Sequence, residues 1–232
     1  MSSFNDVEHL FFDLDHTLWD FDRNSKLAYG HIFETEKIDL SLDVFIEKYE
    51  PLNLEFWRRF RESEISKEQL RYQRLKASFD ACNYEISDPM IHKMADLYLD
   101  YLPRYNHLFP NCLEVLDLLK KDYQLHLITN GFDVVQGHKV KNSGLQGYFP
   151  YMLTAETAGT KKPDTKIFER ALSDTGATSS NSVMIGDSYE ADIQGAKNAG
   201  WRTIWFHTTQ QPIPEGEIVV HDLAELYSLL SR

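Results

Sequence analysis

Cysteine is scarce in this sequence, positive charge is outnumbered and long apolar runs are missing, and each lack removes a class of function. Cys82 and Cys112 are the only two cysteines. They lie far apart with no His in metal-ligand spacing beside them, which excludes a disulfide framework and argues against a zinc site. No stretch approaches the run of about 18 apolar residues that a membrane helix requires. The opening MSSFNDVEH is polar and lacks the apolar segment of a secretory signal, so the expected location is the cytoplasm, with no membrane partner. Lys and Arg number 24 against 36 Asp and Glu, a net charge of −12. That balance offers no broad basic surface for a nucleic-acid polymer, whose binding rests on Lys and Arg neutralising phosphates. A single nucleotide needs only a few local cations and stays open. No G-x-G-x-x-G follows the first strand-like run, against a dinucleotide oxidoreductase. Internal repeats and low-complexity segments are also missing.

What is present suffices for one sizeable core: 232 residues, 42% hydrophobic and 13% aromatic, enough for one large domain or a domain plus an insert. Short apolar runs suited to buried parallel strands occur at His9 to Phe12, Leu125 to Ile128, Tyr151 to Thr154, Val183 to Ile185 and Thr203 to Phe206. From Asn111 onward they alternate with helix-like stretches at Cys112 to Lys121, Asp133 to Asn142, Asp164 to Thr175 and Tyr189 to Ala199. Gly144, Gly176 and Gly200 stand as helix stops. Such alternation predicts an α/β fold with a doubly wound parallel sheet. The interval 22–105 breaks it, with no β-branched run and with helical spacing in Phe56, Trp57 and Phe60. Ser66 with Gln69 forms a capping-box pattern, and Ser87 before Asp88-Pro89 marks another helix start. A helical insert therefore follows the first strand.

Four strand ends carry candidate chemistry. Phe11-Phe12-Asp13-Leu14-Asp15-His16-Thr17-Leu18 ends an apolar strand in two carboxylates, at the edge where open α/β sheets bind ligands. They suit a nucleophile plus a proton carrier, or are simply two loop acids. As a calcium loop the segment fails, having Leu18 where the loop needs Gly and Asn24 where it needs Glu. Met184 to Asp192 is a second strand running into acids. Asp187 either caps the following helix with Glu190 or joins Asp13 at the sheet edge, where like charges call for a cation such as Mg²⁺. At Leu127 to Gly131, Thr129 and the N–H of Asn130 are placed to hold phosphate oxygens, although Asn-Gly is also a hairpin signal. Lys161-Lys162-Pro163-Asp164 sets a lysine just ahead of a helix, where it is either a site cation or a solvated surface charge.

Asp13-Leu14-Asp15-His16-Thr17, Thr129, Lys162-Pro163 and Gly186-Asp187 with Asp192 together resemble the ordered motif set of the haloacid dehalogenase-like (HAD) hydrolases, across the whole chain. The resemblance implies a Rossmann-like HAD core at 1–21 and 106–232, with a four-helix cap of the first cap class at 22–105. The stretches around Asp13, Ile128 to Phe132 and Lys162 to Phe168 look most like the pyrimidine 5′-nucleotidase subgroup. His16 departs from the Gly or small or acidic residue that many relatives carry. Lys162 is selected over Lys161 because the family places its lysine directly before Pro. The presence of Asp15 sets the chain apart from the dehalogenases of this fold, which lack that acid.

The resemblance implies a Mg²⁺-dependent phosphatase of small phosphate monoesters. Asp13 forms an aspartyl-phosphate, and Asp15 protonates the leaving alkoxide and then activates water. Mg²⁺ is held by Asp13, Asp187 and the Asp15 carbonyl, Lys162, Thr129 and Asn130 hold the phosphoryl group, and Asp192 supports the metal waters or Lys162. The expected substrate is a nucleoside 5′-monophosphate. Sugar phosphate, phosphoglycolate and the β-phosphoglucomutase reaction are the enzymatic alternatives, and a non-catalytic phosphate sensor is an alternative of another class. Trp19, Phe21, Arg23, Trp57, Tyr72 and Arg74 are the candidates for substrate choice, with packing between helices the competing role for Trp57 and Tyr72. Monomer and homodimer both fit.

Overall fold

The computed structural model describes residues 4–210 and 212–231, so the first three residues of the opening segment and the last residue of the expected core lie outside the described residues. The chain forms two units, one from the chain up to Asp20 together with the chain from His107 onward, the other from Phe21–Asn106.

In the first unit every apolar run named above is a strand; those inside the sheet are buried on both faces beneath helices, and the Tyr151 to Thr154 run at the sheet edge is fully buried only in its second half. The strands are β1 (His9–Phe12), β2 (Gln124–Thr129), β3 (Tyr151–Thr154), β4 (Ser182–Gly186), β5 (Arg202–Phe206) and a two-residue β6 (Val219–Val220). All pair in parallel in the order β3-β2-β1-β4-β5-β6, the doubly wound α/β arrangement expected of a Rossmann-like core. The chain leaves β1 toward β2 on one side and reaches β4 on the other, so the strand order reverses at β1. Phe12 lies level with Leu127 of β2 and Ile185 of β4. The residues just past those positions, Asp13, Ile128-Thr129 and Gly186-Asp187, therefore meet at the carboxyl edge of the switch point.

The second unit holds four helices, α1 (Phe21–Glu36), α2 (Leu42–Arg61), α3 (Lys67–Ala81) and α4 (Asp88–Tyr101). The capping box at Ser66 is formed reciprocally with Gln69, which closes two of the orphan N–H groups of α3. Ser87 is the N-cap of α4 but makes no side-chain capping bond, and the start is set by Pro89 in the first turn.

Helices α5 (Cys112–Leu119), α6 (Asp133–Asn142), α7 (Ala155–Ala158), α8 (Thr165–Thr175), α9 (Gly195–Asn198) and α10 (Ala224–Leu230) belong to the first unit. Ile167 and Phe168 of α8 pack with Phe11, Ile128, Met184 and Trp201 as a core on the sheet. The stretch expected to be one helix over Tyr189 to Ala199 instead opens with a π-helical turn, Tyr189–Gln194, before α9. Ser188, not Asp187, caps it: its hydroxyl accepts from the N–H of Ala191 at 3.2 Å. The reading of Asp187 as a capping residue is thereby corrected, and its carboxylate is left for other use.

Beneath the sheet, His9 Nδ1 and His126 Nε2 are 3.0 Å apart, and His126 stacks on Phe11 at 4.5 Å. Burial, then the neighbouring His9, lowers the His126 imidazole to about 4. The unfolded imidazole titrates near 6.5, so between about 6.5 and 4 the unfolded chain binds the extra proton and this site's stability is lost as pH falls. His126→Phe removes that linkage. The melting temperature of the variant relative to the natural chain is expected to rise steadily as pH drops from 7 to 4.5, and a pH-independent difference counts against it.

Candidate active site

Asp13 ends β1 with its N–H still donating to the Ile185 carbonyl at 2.9 Å, so its side chain is fixed by sheet pairing. One carboxylate oxygen accepts from the Lys162 ammonium at 2.6 Å. The same Nζ donates to the Ile128 carbonyl at 2.7 Å and lies 2.7 Å from Asp192 Oδ1. The ammonium thus donates to two acceptors and is ion-paired with a third group, Asp192. Lys162 is 2% exposed, so this charge is no solvated surface lysine. Its segment is clamped to the end of β2 by Asn130, whose Nδ2 donates to the Lys162 carbonyl and whose Oδ1 accepts from the Lys162 N–H, both at 2.9 Å.

Asp13, Asp187 and Asp192 each offer a carboxylate oxygen within 4.8 Å of the others. Asp192 can come this close because Gly186 has no side chain: a Cβ there would overlap the Asp192 carboxylate. The other Asp192 oxygen accepts from the N–H of Ser188 at 3.0 Å, so this acid is turned toward the protein on both sides. Asp187 accepts from the Thr17 hydroxyl at 3.1 Å, and its carbonyl accepts from the Trp205 indole at 2.8 Å. Burial, then the charge of Asp192, pushes the Asp187 carboxyl up to about 8. Burial likewise raises Asp13 well above the usual range, only partly offset by Lys162, with Asp192 and Asp187 adding to the rise. Burial opposes the charge on Lys162, yet Asp13 and Asp192 outweigh it and raise its pKa. Three acids around one cation leave negative charge uncompensated. An all-oxygen donor set with that deficit fits a hard divalent cation.

Asp15 is turned away from this cluster. Its Oδ1 accepts from Lys139 at 2.6 Å and its Oδ2 from Gln136 Nε2 at 3.0 Å. Gln136 also donates to Thr129 Oγ1 at 2.7 Å, and the Gly131 N–H donates to the same oxygen at 3.1 Å. With both lone pairs of the Thr129 hydroxyl engaged, its own hydrogen remains to be donated outward. Gln136, Lys139 and Trp205 were not singled out in the sequence, and Thr17 entered only as the end of the first motif, without a role. The only signal for the first two is their i, i+3 spacing on α6, directly after Gly131.

The candidates for substrate choice scatter. Trp19 is fully buried with the Lys139 ammonium 4.3 Å from its ring, so it packs inside the first unit and presents no surface to a ligand. Arg74, 3% exposed, lies inside the helical unit, donating to Asn53 at 2.8 Å and facing the Tyr98 and Tyr49 rings. Both correct the sequence expectation: aromatic faces and an amide hold these side chains in packing roles. Phe21 is buried as well. Tyr72 donates to Asp88 at 2.6 Å and stacks on His92, tying α3 to α4. Trp57 packs edge-on against Phe60. Arg23 is exposed and lines a cavity of about 380 Å³ with His31, Glu34 and Tyr105.

A parallel switch-point sheet carrying a buried aspartate–lysine–aspartate cluster defines an α/β hydrolase core of the HAD type. The family model described as haloacid dehalogenase-like hydrolase matches residues 10–206, and the chain belongs to that family. It is 33% identical to the pyrimidine 5′-nucleotidase PynA of Streptococcus pneumoniae over 89% of both chains. With the pyrimidine 5′-nucleotidase YjjG of Escherichia coli it shares 29% identity over 96% of this chain and 97% of that one. The crystal structure of Bacillus subtilis YfnB bound to magnesium superposes with a TM-score of 0.87 at 27% identity, covering 97% of this chain and 99% of YfnB. Among the described residues no helix is long and apolar enough to cross a membrane.

Proposed function

We propose that the protein is a Mg²⁺-dependent phosphatase that hydrolyses small phosphate monoesters, with a pyrimidine nucleoside 5′-monophosphate as its substrate. The observation that carries this reading is the divergence of two carboxylates two residues apart. Asp13 faces Lys162 and the acid cluster, while Asp15 is held by Gln136 and Lys139. Two acids in two environments can take two roles. PynA and YjjG support the choice of substrate, and YfnB supports the choice of metal. In this reading residues up to Asp20 and from His107 form the catalytic core, and Phe21–Asn106 is the cap that selects the leaving group.

Asp13 attacks phosphorus and forms the aspartyl-phosphate. Lys162 holds the nucleophile in place and shares the charge of the phosphoryl group, and Thr129 with the Asn130 N–H donates to its oxygens. Asp15 gives its proton to the departing oxygen, then accepts one from the water that hydrolyses the intermediate. The Asp13 and Asp187 carboxylates, with the Asp15 carbonyl, would hold Mg²⁺, which when bound would supply positive charge to offset the repulsion between an anionic nucleophile and an anionic substrate. Asp192 orients Lys162.

Two measurements test the reading. With Mg²⁺, phosphate release is expected from uridine and cytidine 5′-monophosphates at least about tenfold faster in kcat/KM than from sugar phosphates or phosphoglycolate. A non-nucleotide preference overturns the substrate, and no Mg²⁺-dependent release from any monoester overturns the chemistry. The second follows from Asp187. Its folded pKa near 8 lies above the unfolded 3.8, so without metal the folded state holds the extra proton and stability declines as pH rises across that window. Mg²⁺ must displace that proton to bind. The melting-temperature gain from Mg²⁺ is therefore expected to be small at pH 5 and large at pH 8; an equal gain at both, or none, rejects the site.

A further inference from the structure

Asp15 has a support that the chemistry assigned to it does not require in kind: two side chains from one face of α6, both buried, hold both of its oxygens. Lys139, 2% exposed, donates to Oδ1 at 2.6 Å, and its ammonium lies against the Trp19 ring at 4.3 Å. Gln136, fully buried, donates from one amide nitrogen to Asp15 Oδ2 at 3.0 Å and to Thr129 Oγ1 at 2.7 Å. The amide cannot be reversed, because its carbonyl oxygen would then face a carboxylate. Gln136 Oε1 is itself buried with no hydrogen-bond partner. An unsatisfied buried acceptor destabilises the fold, a cost that an apolar side chain of similar size avoids. An amide kept at that cost serves its donors.

The backbone is adapted to the same end. A Cβ on Gly131 would overlap the Gln136 side chain, so the residue after Asn130 has to be glycine for the amide to reach Thr129 and Asp15. One NH₂ group thereby fixes the spacing between the phosphate-binding hydroxyl and the proton carrier. Charge-assisted bonds to both carboxylate oxygens remove the freedom an aspartate at a loop start otherwise has. Proton transfer in the transition state depends on that geometry.

We propose that Gln136 and Lys139 are positioning residues that aim the Asp15 carboxyl at the leaving-group oxygen and lock it in register with Thr129. This rests on the acid–base role proposed above for Asp15. As the phosphorus–oxygen bond breaks, its electron pair goes to the leaving oxygen, which takes the proton carried by the protonated form of Asp15 and leaves the carboxylate that Lys139 and Gln136 hold. Leaving groups that depart as stable anions do not need that proton. The residues' contribution must therefore depend on the leaving group.

The test measures kcat/KM, which covers the steps up to departure of the first product, on p-nitrophenyl phosphate, phenyl phosphate and an alkyl or nucleoside monophosphate. Lys139→Met and Gln136→Met are expected to lower kcat/KM for the alkyl ester by about 10- to 100-fold, and for p-nitrophenyl phosphate by less than about threefold. Lys139→Arg, which keeps a cation beside Asp15, is expected to recover part of the alkyl-ester rate. Gly131→Ala, which displaces the amide without altering either residue, is expected to follow Gln136→Met and serves if Lys139→Met does not fold. Equal losses on all three substrates, or none, overturn the proposal. Asp15→Asn separates the two levels. If it is steep in leaving group while Lys139→Met and Gln136→Met are flat, only the positioning role falls; if it is flat itself, the acid–base reading falls and takes this one with it.

Discussion

Asp13→Asn is expected to lower kcat for any phosphate monoester by about 10³-fold or more, because removing a covalent nucleophile leaves only binding and charge stabilisation. The same change is expected to leave the melting temperature unaltered or to raise it. Asn is nearly isosteric, its carbonyl oxygen can still accept from Lys162, and one of three mutually repelling acids is gone. A buried charge whose pKa is driven up by burial is a cost in the folded state, and sites that carry function commonly hold such costs. Loss of activity with unchanged or increased stability is thus the signature of a nucleophile. An Asp13→Asn protein that turns over at near the natural rate removes the mechanism, and one that is inactive because it is unfolded assigns Asp13 a structural role.

Lys162→Met is expected to do the opposite to stability. It leaves Asp13 and the Ile128 carbonyl without their donor, and Asp13 and Asp192 without their cation. Breaking a buried ion pair from one side costs about 3–5 kcal/mol, because a desolvated charge is left uncompensated. For a chain of this size that corresponds to a fall in melting temperature of roughly 6–20 °C. Activity is expected to be lost as well, since the phosphoryl charge loses its fixed cation. Mg²⁺ should restore part of the stability but little of the activity, as it supplies charge to the acids without occupying the place of the ammonium. Thermal melts of the variant with and without Mg²⁺ check this; a melting temperature within about 2 °C of the natural chain's, for a change of under about 1 kcal/mol, would show that the buried contact carries no weight.

The opposite outcomes expected for two residues 2.6 Å apart reflect what was legible in the sequence and what was not. Strand ends were legible, since an apolar run buried on both faces has only one kind of place in an α/β fold and the polar residue that follows it must emerge at the sheet edge. Asp13, Thr129 and Asp187 follow from that rule; Lys162 lies past β3 and α7 and stood out instead by its place directly before Pro163 at a helix start. Gln136 and Lys139 did not, because a glutamine and a lysine on a helix look like its solvated face, and only the tertiary fold reveals that this turn of α6 is covered. Arg74 is the converse case: its charge suggested a ligand contact, but Tyr49, Tyr98 and Asn53 enclose it. The π-helical turn at Tyr189–Gln194 was likewise hidden, since its residues fit ordinary helix spacing. So was β6, because two residues are too few to carry a period.

The reciprocal amide clamp between Asn130 and Lys162 carries one further consequence. It ties two crossover loops together through the backbone of one and the side chain of the other, in the manner of a rung between ladder rails. The distance between the hydroxyl at the end of one strand and the ammonium on the next loop is therefore a built-in gauge. On the proposed function, phosphoryl groups on very different alcohols would be measured against the same fixed span, and tolerance for a new alcohol would have to be evolved elsewhere in the chain.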